Sequence, residues 1–319
     1  MIACCTSAGY SIQLIPIPVS AGNQAGHLVK LANNEGVTEW LCSGLQIHLR
    51  GFNSLLPLQI FYHIGMAMKL LGSKIKIKSA PKLRGVILYE GPSLLDQKPI
   101  VVVATFSSAN SKTGDMIQTW ILRSDMHPLE AIATKEDDSI CGNCPHKQSI
   151  GGACYVNVGQ APAAVYRSYL KGIYPQFNKA LHSSLFMGRM VRLGAYGDPA
   201  AAPFKAWESI TDLTMGHTGY THQIAHKNFD ERIGSLCMIS ADSPKQATKY
   251  QAKGYKTFRV AMAGDNLAEG ELECLADSEG LQCKDCRLCD GTKKNIAITV
   301  HGSKASKFKT SLIPTMQVA

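Results

Sequence analysis

The sequence predicts an α/β protein built on parallel βα repeats, a partial or full TIM-like barrel, with a small N-terminal β-hairpin or sheet and a cysteine-rich metal-binding tail. Three observations carry this. From Pro162 onward, short apolar runs rich in β-branched residues alternate with segments of helical period. Between residues 85 and 125, β-rich runs are separated by Gly, Pro and Asp. Of 11 cysteines, seven fall into two tight groups.

Taken in chain order, residues 1–67 carry only Lys30, Glu35, Glu39 and Arg50 as formal charges and show no sustained helical or alternating period. They are expected to be a leader that is non-native or poorly ordered, with translation starting at Met66 or Met68; the alternative is a small apolar N-terminal subdomain. Residues 68–140 read as a small β-rich segment. "GVILYEGPSLLDQKPIVVVATF" gives a strand, a turn and a strand, and "DMIQTWILRSD" a third strand, together expected to lid one end of the repeat domain.

Residues 141–302 hold the metal loop and the repeat. "APAAVYRSYLKGIYP" is a helix stopped by Gly172 and Pro175. "MVRLGAY" is a strand leading through "GDPAAAP" to the helix "FKAWESITDLT". "HTGYTHQI" is a short strand, "LCMISAD" a strand before the helix "PKQATKYQAKG", and "KTFRVAMA" and "NIAITVHG" the last strands. Strand–helix alternation implies right-handed crossovers and a parallel sheet, either open or closed as a barrel. An insertion at 274–289 and a basic tail at 303–319 complete the chain.

The first cysteine group is Cys141, Cys144 and Cys154 in "CGNCPHKQSIGGACYVN"; the second is Cys274, Cys283, Cys286 and Cys289. Paired Cys-x-x-Cys spacing without a secretory signal points to metal ligation rather than disulfides. Zinc and iron–sulfur clusters both accept thiolates. The second group has four thiols and is self-sufficient, hence structural. The first has three, with His146 as a weaker fourth candidate, and three-thiolate ligation of a four-iron cluster leaves one position open for chemistry. A closed site of three cysteines and His146 around zinc is the alternative.

In parallel sheets, function gathers at the carboxyl ends of the strands. Polar residues recur at those positions: Tyr196 and Asp198, then Tyr220, Thr221, His222 and Gln223, then Ser240 and Asp242, with Arg259 inside the next strand. We assign catalytic roles to His222, Asp242 and Asp198, and substrate binding to Tyr196, Tyr220, Thr221, Gln223, Ser240 and Arg259. Imidazole titrates near neutrality, and a guanidinium suits a carboxylate or phosphate. Asp198-Pro199 and Asp242-Ser243-Pro244 also read as helix-capping sequences. The sequence holds no P-loop, dinucleotide fingerprint, Gly-x-Ser-x-Gly elbow or His-Glu-x-x-His, so the corresponding enzyme classes have no motif behind them.

"CGNCPH", "ACYVN", "RLGAYGDPAA", "GYTHQ", "SADS", "TFRVA" and "CKDCRLC", spread over residues 85–302, together resemble a family of uncharacterised cysteine-rich proteins of bacteriophages and other mobile elements. More distantly, the order of these segments is similar to the phage "gene product 88" family and to radical-SAM-like barrels. The resemblance implies an iron–sulfur protein with its cluster at the barrel mouth, a second cluster or a zinc in the tail, and S-adenosylmethionine as a further cofactor. Radical-SAM enzymes commonly space their ligands Cys-x-x-x-Cys-x-x-Cys, whereas Cys141-x-x-Cys144 is followed here at a distance by Cys154.

The formal charge of +9 favours an anionic partner, a small molecule or nucleic acid. Hydrophobic residues make up 45% and charged residues 18%, with no apolar run fit to cross a bilayer, so a soluble protein of the bacterial cytoplasm is expected. The leading expectation is an iron–sulfur enzyme of a mobile element. A zinc-stapled nucleic-acid-binding protein, supported by "KIKIKSAPKLR" and "KASKFK", is the alternative.

Overall fold

The structure, a computed structural model, describes residues 83–262 and 264–301, the helix Ala305–Ser311, and the backbone of five strands between Ala3 and His48. The chain divides into two compact units, Met1–Pro81 and Lys82–Ala319.

In the first unit, β1 (Ala3–Cys5), β2 (Ser11–Pro16), β3 (His27–Asn33), β4 (Gly36–Ser43) and β5 (Gln46–His48) form an antiparallel meander in that order. A sheet thus occupies part of the segment expected to be a leader. The proposed starts at Met66 and Met68 lie outside the described residues.

The second unit is built on a nine-stranded, mostly parallel sheet. Its strands are β6 (Gly85–Pro92), β7 (Pro99–Thr105), β8 (Ile117–Arg123), β9 (Met190–Tyr196), β10 (Gly216–Thr221), β11 (Met238–Ala241), β12 (Thr257–Ala261), β13 (Glu271–Glu273) and β14 (Asn295–Thr299). They lie in the order β13-β14-β12-β11-β10-β9-β8-β7-β6. The pairs β6–β7 and β7–β8 are antiparallel; every pair from β8 to β13 is parallel. Residues 85–123 therefore do not form a separate lid but extend the parallel sheet, because β8 pairs directly with β9. Among the described residues no pairing joins β6 to β13. The outer side of β6 is covered instead by Pro175–Phe177, which exchanges backbone hydrogen bonds with Ile87 at 2.9 and 2.7 Å.

The central strands read as near-continuous apolar runs because both faces are covered. Val101, Val102, Val103, Ile117, Ile121, Val191 and Leu193 are wholly buried. The helix Phe204–Thr211 packs Trp207 and Ile210 into this core, and the helix Pro244–Gln251 lies along β11 and β12. Parallel register puts Tyr220 beside Met238 and Ser240 beside Phe258, which in turn neighbours Ile296, so these residues share one face. That face carries the cysteine-rich tail. Cys289 packs with Met238 and Ile296, flanked by Tyr220, Phe258, Cys274 and Leu288. Among the described residues no helix is long and apolar enough to cross a membrane.

Candidate metal centre

The first cysteine loop begins where the short helix Asp138–Cys141 ends at Gly142, whose φ of 50° is open to glycine and strained for other residues. The chain then doubles back on itself. Cys144 N–H donates to Cys141 O at 3.1 Å, Gly152 N–H to Lys147 O at 3.0 Å, and Cys154 N–H to His146 O at 2.8 Å. Gly152 lies against the His146 backbone, where a Cβ would meet the His146 Cα at 2.7 Å. This fold-back returns Cys154 to the neighbourhood of Cys141 and Cys144. Burial pushes the Cys141 thiol well up, and the adjacent Asp137 carboxyl and the Cys144 and Cys154 thiols push it further.

The loop is fastened to the carboxyl ends of β9 and β10. Gln223 Nε2 donates to Cys141 O at 3.0 Å, and Asn143 N–H donates to Gln223 Oε1 at 3.1 Å. Asp198 N–H donates to Ile140 O at 2.6 Å. The Asp198 carboxylate accepts from Thr221 Oγ1 at 2.7 Å, from His222 N–H at 2.8 Å and from Ala200 N–H at 3.0 Å. Thr221 Oγ1 in turn accepts from Gln223 N–H at 3.1 Å.

Three of the residues expected at the strand ends take part in this network. Asp198, Thr221 and Gln223 are buried and mutually hydrogen-bonded. Their polar atoms hold the cysteine loop to the strand ends.

His222 and Asp242 do converge on the loop. His146 Nε2 lies 2.8 Å and His222 Nε2 3.4 Å from Asp242 Oδ1. Burial disfavours the His222 imidazolium, but Cys144 and the Asp242 carboxylate outweigh it and hold the ring's pKa well above the usual range. Burial likewise works against the Asp242 carboxylate, and the two histidines reverse this, keeping it far below the ordinary value. The N-cap of the following helix is Ser243, which accepts from Gln246 N–H. Asp242 is thereby left to the histidines. Tyr196 completes the surroundings: its hydroxyl is buried without a hydrogen-bond partner and lies near Cys141, Asp137 and Cys154.

The second cysteine group assembles on the sheet face described above. Cys274 follows β13, Cys283 and Cys286 bracket one turn of helix, and Arg287 in the left-handed region turns the chain toward Cys289. Burial raises the Cys289 thiol to about 12, with the neighbouring thiols Cys274, Cys283 and Cys286 adding to it and a hydrogen bond with Tyr220 opposing. Cys141, Cys144, Cys274, Cys283, Cys286 and Cys289 form no disulfide.

Three further residues expected at the strand ends stand elsewhere. Tyr220 turns to this second group, its ring 4.5 Å from that of Phe258. Ser240 shares that face by register. Arg259 is fully buried in an ion pair with Glu271, with Nη2 donating to Oε2 at 2.6 Å and Nε to Oε1 at 2.9 Å.

Arg192 in β9 is a further candidate that the sequence pattern does not single out. Its Nη2 lies 2.8 Å from the hydroxyl of Tyr155, the residue after Cys154, and its charge lowers the Cys283 thiol against burial. Its Nε is buried without a partner. Arg192 thus stands between the two cysteine groups, and the one signal for it is a charge inside the otherwise apolar run "MVRLGAY". Comparison with protein-family models, curated proteins and solved structures gives no match to this chain.

The first donor set suits a thiophilic metal. Burial and its neighbours Asp137, Cys144 and Cys154 raise the Cys141 thiol, and a metal ion relieves that penalty by taking it as a thiolate.

Proposed function

We propose that the chain is an iron–sulfur enzyme in which Cys141, Cys144 and Cys154 hold a four-iron cluster at the carboxyl ends of a partial, radical-SAM-like barrel. What supports this is the division of the thiols. Four in the tail make a complete set by themselves, while the loop at the strand ends offers three. The winding of the sheet agrees with a barrel wall, because β8 to β12 and then β14 follow in sequence order, all parallel.

A bound cluster supplies electron transfer and one iron position open to an added ligand, for which S-adenosylmethionine is the candidate suggested by the family resemblance. The chain's own residues prepare that position. Gln223 and Asp198 fix the loop, Tyr196 offers a buried hydroxyl, and His222 with Asp242 borders Cys144. The formal charge of +9 favours an anionic substrate. Anaerobic purification with iron and sulfide analysis tests the reading. A brown protein with about four irons and four sulfides per first group is expected, and a colourless protein with stoichiometric zinc would end it.

A second reading rests on His222. An imidazole beside Cys144 and backed by Asp242 is also the fourth ligand that a closed zinc site of three cysteines and one histidine requires. The protein would then be a zinc-stapled nucleic-acid-binding factor in replication or regulation of a mobile element. Zinc content together with a steep salt dependence of DNA or RNA binding would favour it.

A further inference from the structure

His146, His222 and Asp242 arrive from three different places: the cysteine loop, the end of β10 and the start of the turn after β11. Their donor atoms nevertheless lie within 4.8 Å of one another. The two imidazole rings stand 5.6 Å apart at an interplanar angle of 69°, so they approach Asp242 from separate directions. His146 is held from behind by Phe308 of the helix Ala305–Ser311, stacked at 5.1 Å and 22°. Asp242 has no capping duty to compete for its oxygens, because Ser243 takes that role.

One carboxylate between two imidazoles attracts positive charge. A divalent cation meets that demand by bonding all three donors at once. Two imidazole nitrogens with one carboxylate oxygen suit borderline first-row ions such as iron(II), cobalt(II) and zinc(II), and leave coordination positions for water or a substrate oxygen.

We propose that His146, His222 and Asp242 bind one divalent first-row transition ion through the atoms that already face each other, in a site separate from the three thiols beside it. The ion would present a Lewis-acidic face next to Cys144, so that a substrate oxygen or a bound water is polarised at the edge of the thiol centre. This goes beyond the cluster reading and is incompatible with the closed zinc site, in which His222 would ligate together with the three thiols.

The probe is cobalt(II), titrated anaerobically into the full-length C141S/C144S/C154S variant with the four-cysteine group preloaded with zinc. One equivalent should bind with weak visible d–d bands and without thiolate-to-cobalt charge transfer. Adding Asp242→Asn should weaken that binding by about 100-fold or more. In the wild-type chain with cobalt on the three thiols, His222→Asn should leave the charge-transfer bands unchanged.

No cobalt uptake by the serine variant, equal affinity after Asp242→Asn, or a charge-transfer shift in His222→Asn would each overturn the proposal. The last would make His222 a ligand of the thiol centre. If circular dichroism shows that the serine variant fails to fold, the wild-type chain with both cysteine groups filled by zinc replaces it. The extra cobalt equivalent, lost with Asp242→Asn, is then the same criterion.

Discussion

The Gln223 side chain lies directly over Gly142, so close that a Cβ on Gly142 would stand 2.6 Å from the amide carbon. Gly142→Ala should therefore cost twice: about 1–3 kcal/mol for a Cβ on a residue held at positive φ, and the displacement of Gln223 from its bonds to Cys141 and Asn143. The expected outcome is a folded chain that no longer loads metal at the first group. Gln223→Leu, which removes the bonds but keeps the glycine, should give a milder version. Metal content per chain decides, and full loading in both variants would show that the loop holds itself.

The tail is expected to staple the fold, whereas the first loop is not. Cys289 packs with Met238 and Ile296 on the sheet, so emptying the second group opens part of the core. Cys274→Ser with Cys286→Ser should lower Tm by roughly 10 °C, at about 2–4 °C per kcal/mol for a unit of this size. Cys144→Ser should lower it far less. Thermal unfolding followed by circular dichroism compares the two, and equal losses would remove the distinction between them.

Arg192 should act as counter-charge to the thiolates of the second group. Arg192→Met is expected to weaken zinc retention there by about 10–100-fold, the range seen when a group behind the ligands is removed. Lys112, whose side chain is 42% exposed and pairs with Asp277, should matter less, because water screens it. Chelator competition measures both, and the ranking is what counts: a larger effect from Lys112→Met contradicts the argument.

Arg259 and Glu271 form a pair with side chains only 1% and 0% exposed. Arg259→Met should destabilise the protein by about 3–5 kcal/mol, since it leaves a buried carboxylate without its partner. Burial raises the Glu271 pKa, but the bonds from Arg259 and Ala268 N–H and the Arg259 charge reverse this and leave it below its ordinary value. Its contribution to stability is thus present above the unfolded-state pKa, about 4.3, and lost as pH falls through the lower folded value. Denaturant unfolding between pH 3 and 7 should show this acid-side loss shrink in Arg259→Met with Glu271→Gln.

Most strands of the second unit were legible because each is a compact apolar run ended by Gly, Pro or Asp, whereas the five of the first unit were read as a leader. The segments at 85–92, 99–105, 117–123, 190–196, 238–241, 257–261 and 295–299 all fall within runs read as strands. The strand Glu271–Glu273 was not, since three residues at a sheet edge leave no pattern. The cysteine grouping was equally plain. Roles at the strand ends were harder, because they depend on partners far along the chain. Arg192 and Arg259 look alike in "MVRLG" and "TFRVA", and only the placement of Glu271 tells them apart. One distinction was there to be read: Asp198 directly precedes its proline and caps, while Ser243 intervenes before Pro244 and frees Asp242.

The place of the last strands bears on how the protein is made. β14 inserts between β12 and β13, and Gly219 N–H in β10 donates to Cys289 O at 3.1 Å. One side of β12 therefore waits for β14, which is synthesised after it. A growing chain that ends before about residue 300 exposes the unpaired side of β12, a template for pairing with another chain. Completion of the sheet, and with it the docking of the tail on its face, is deferred until synthesis of this region is finished.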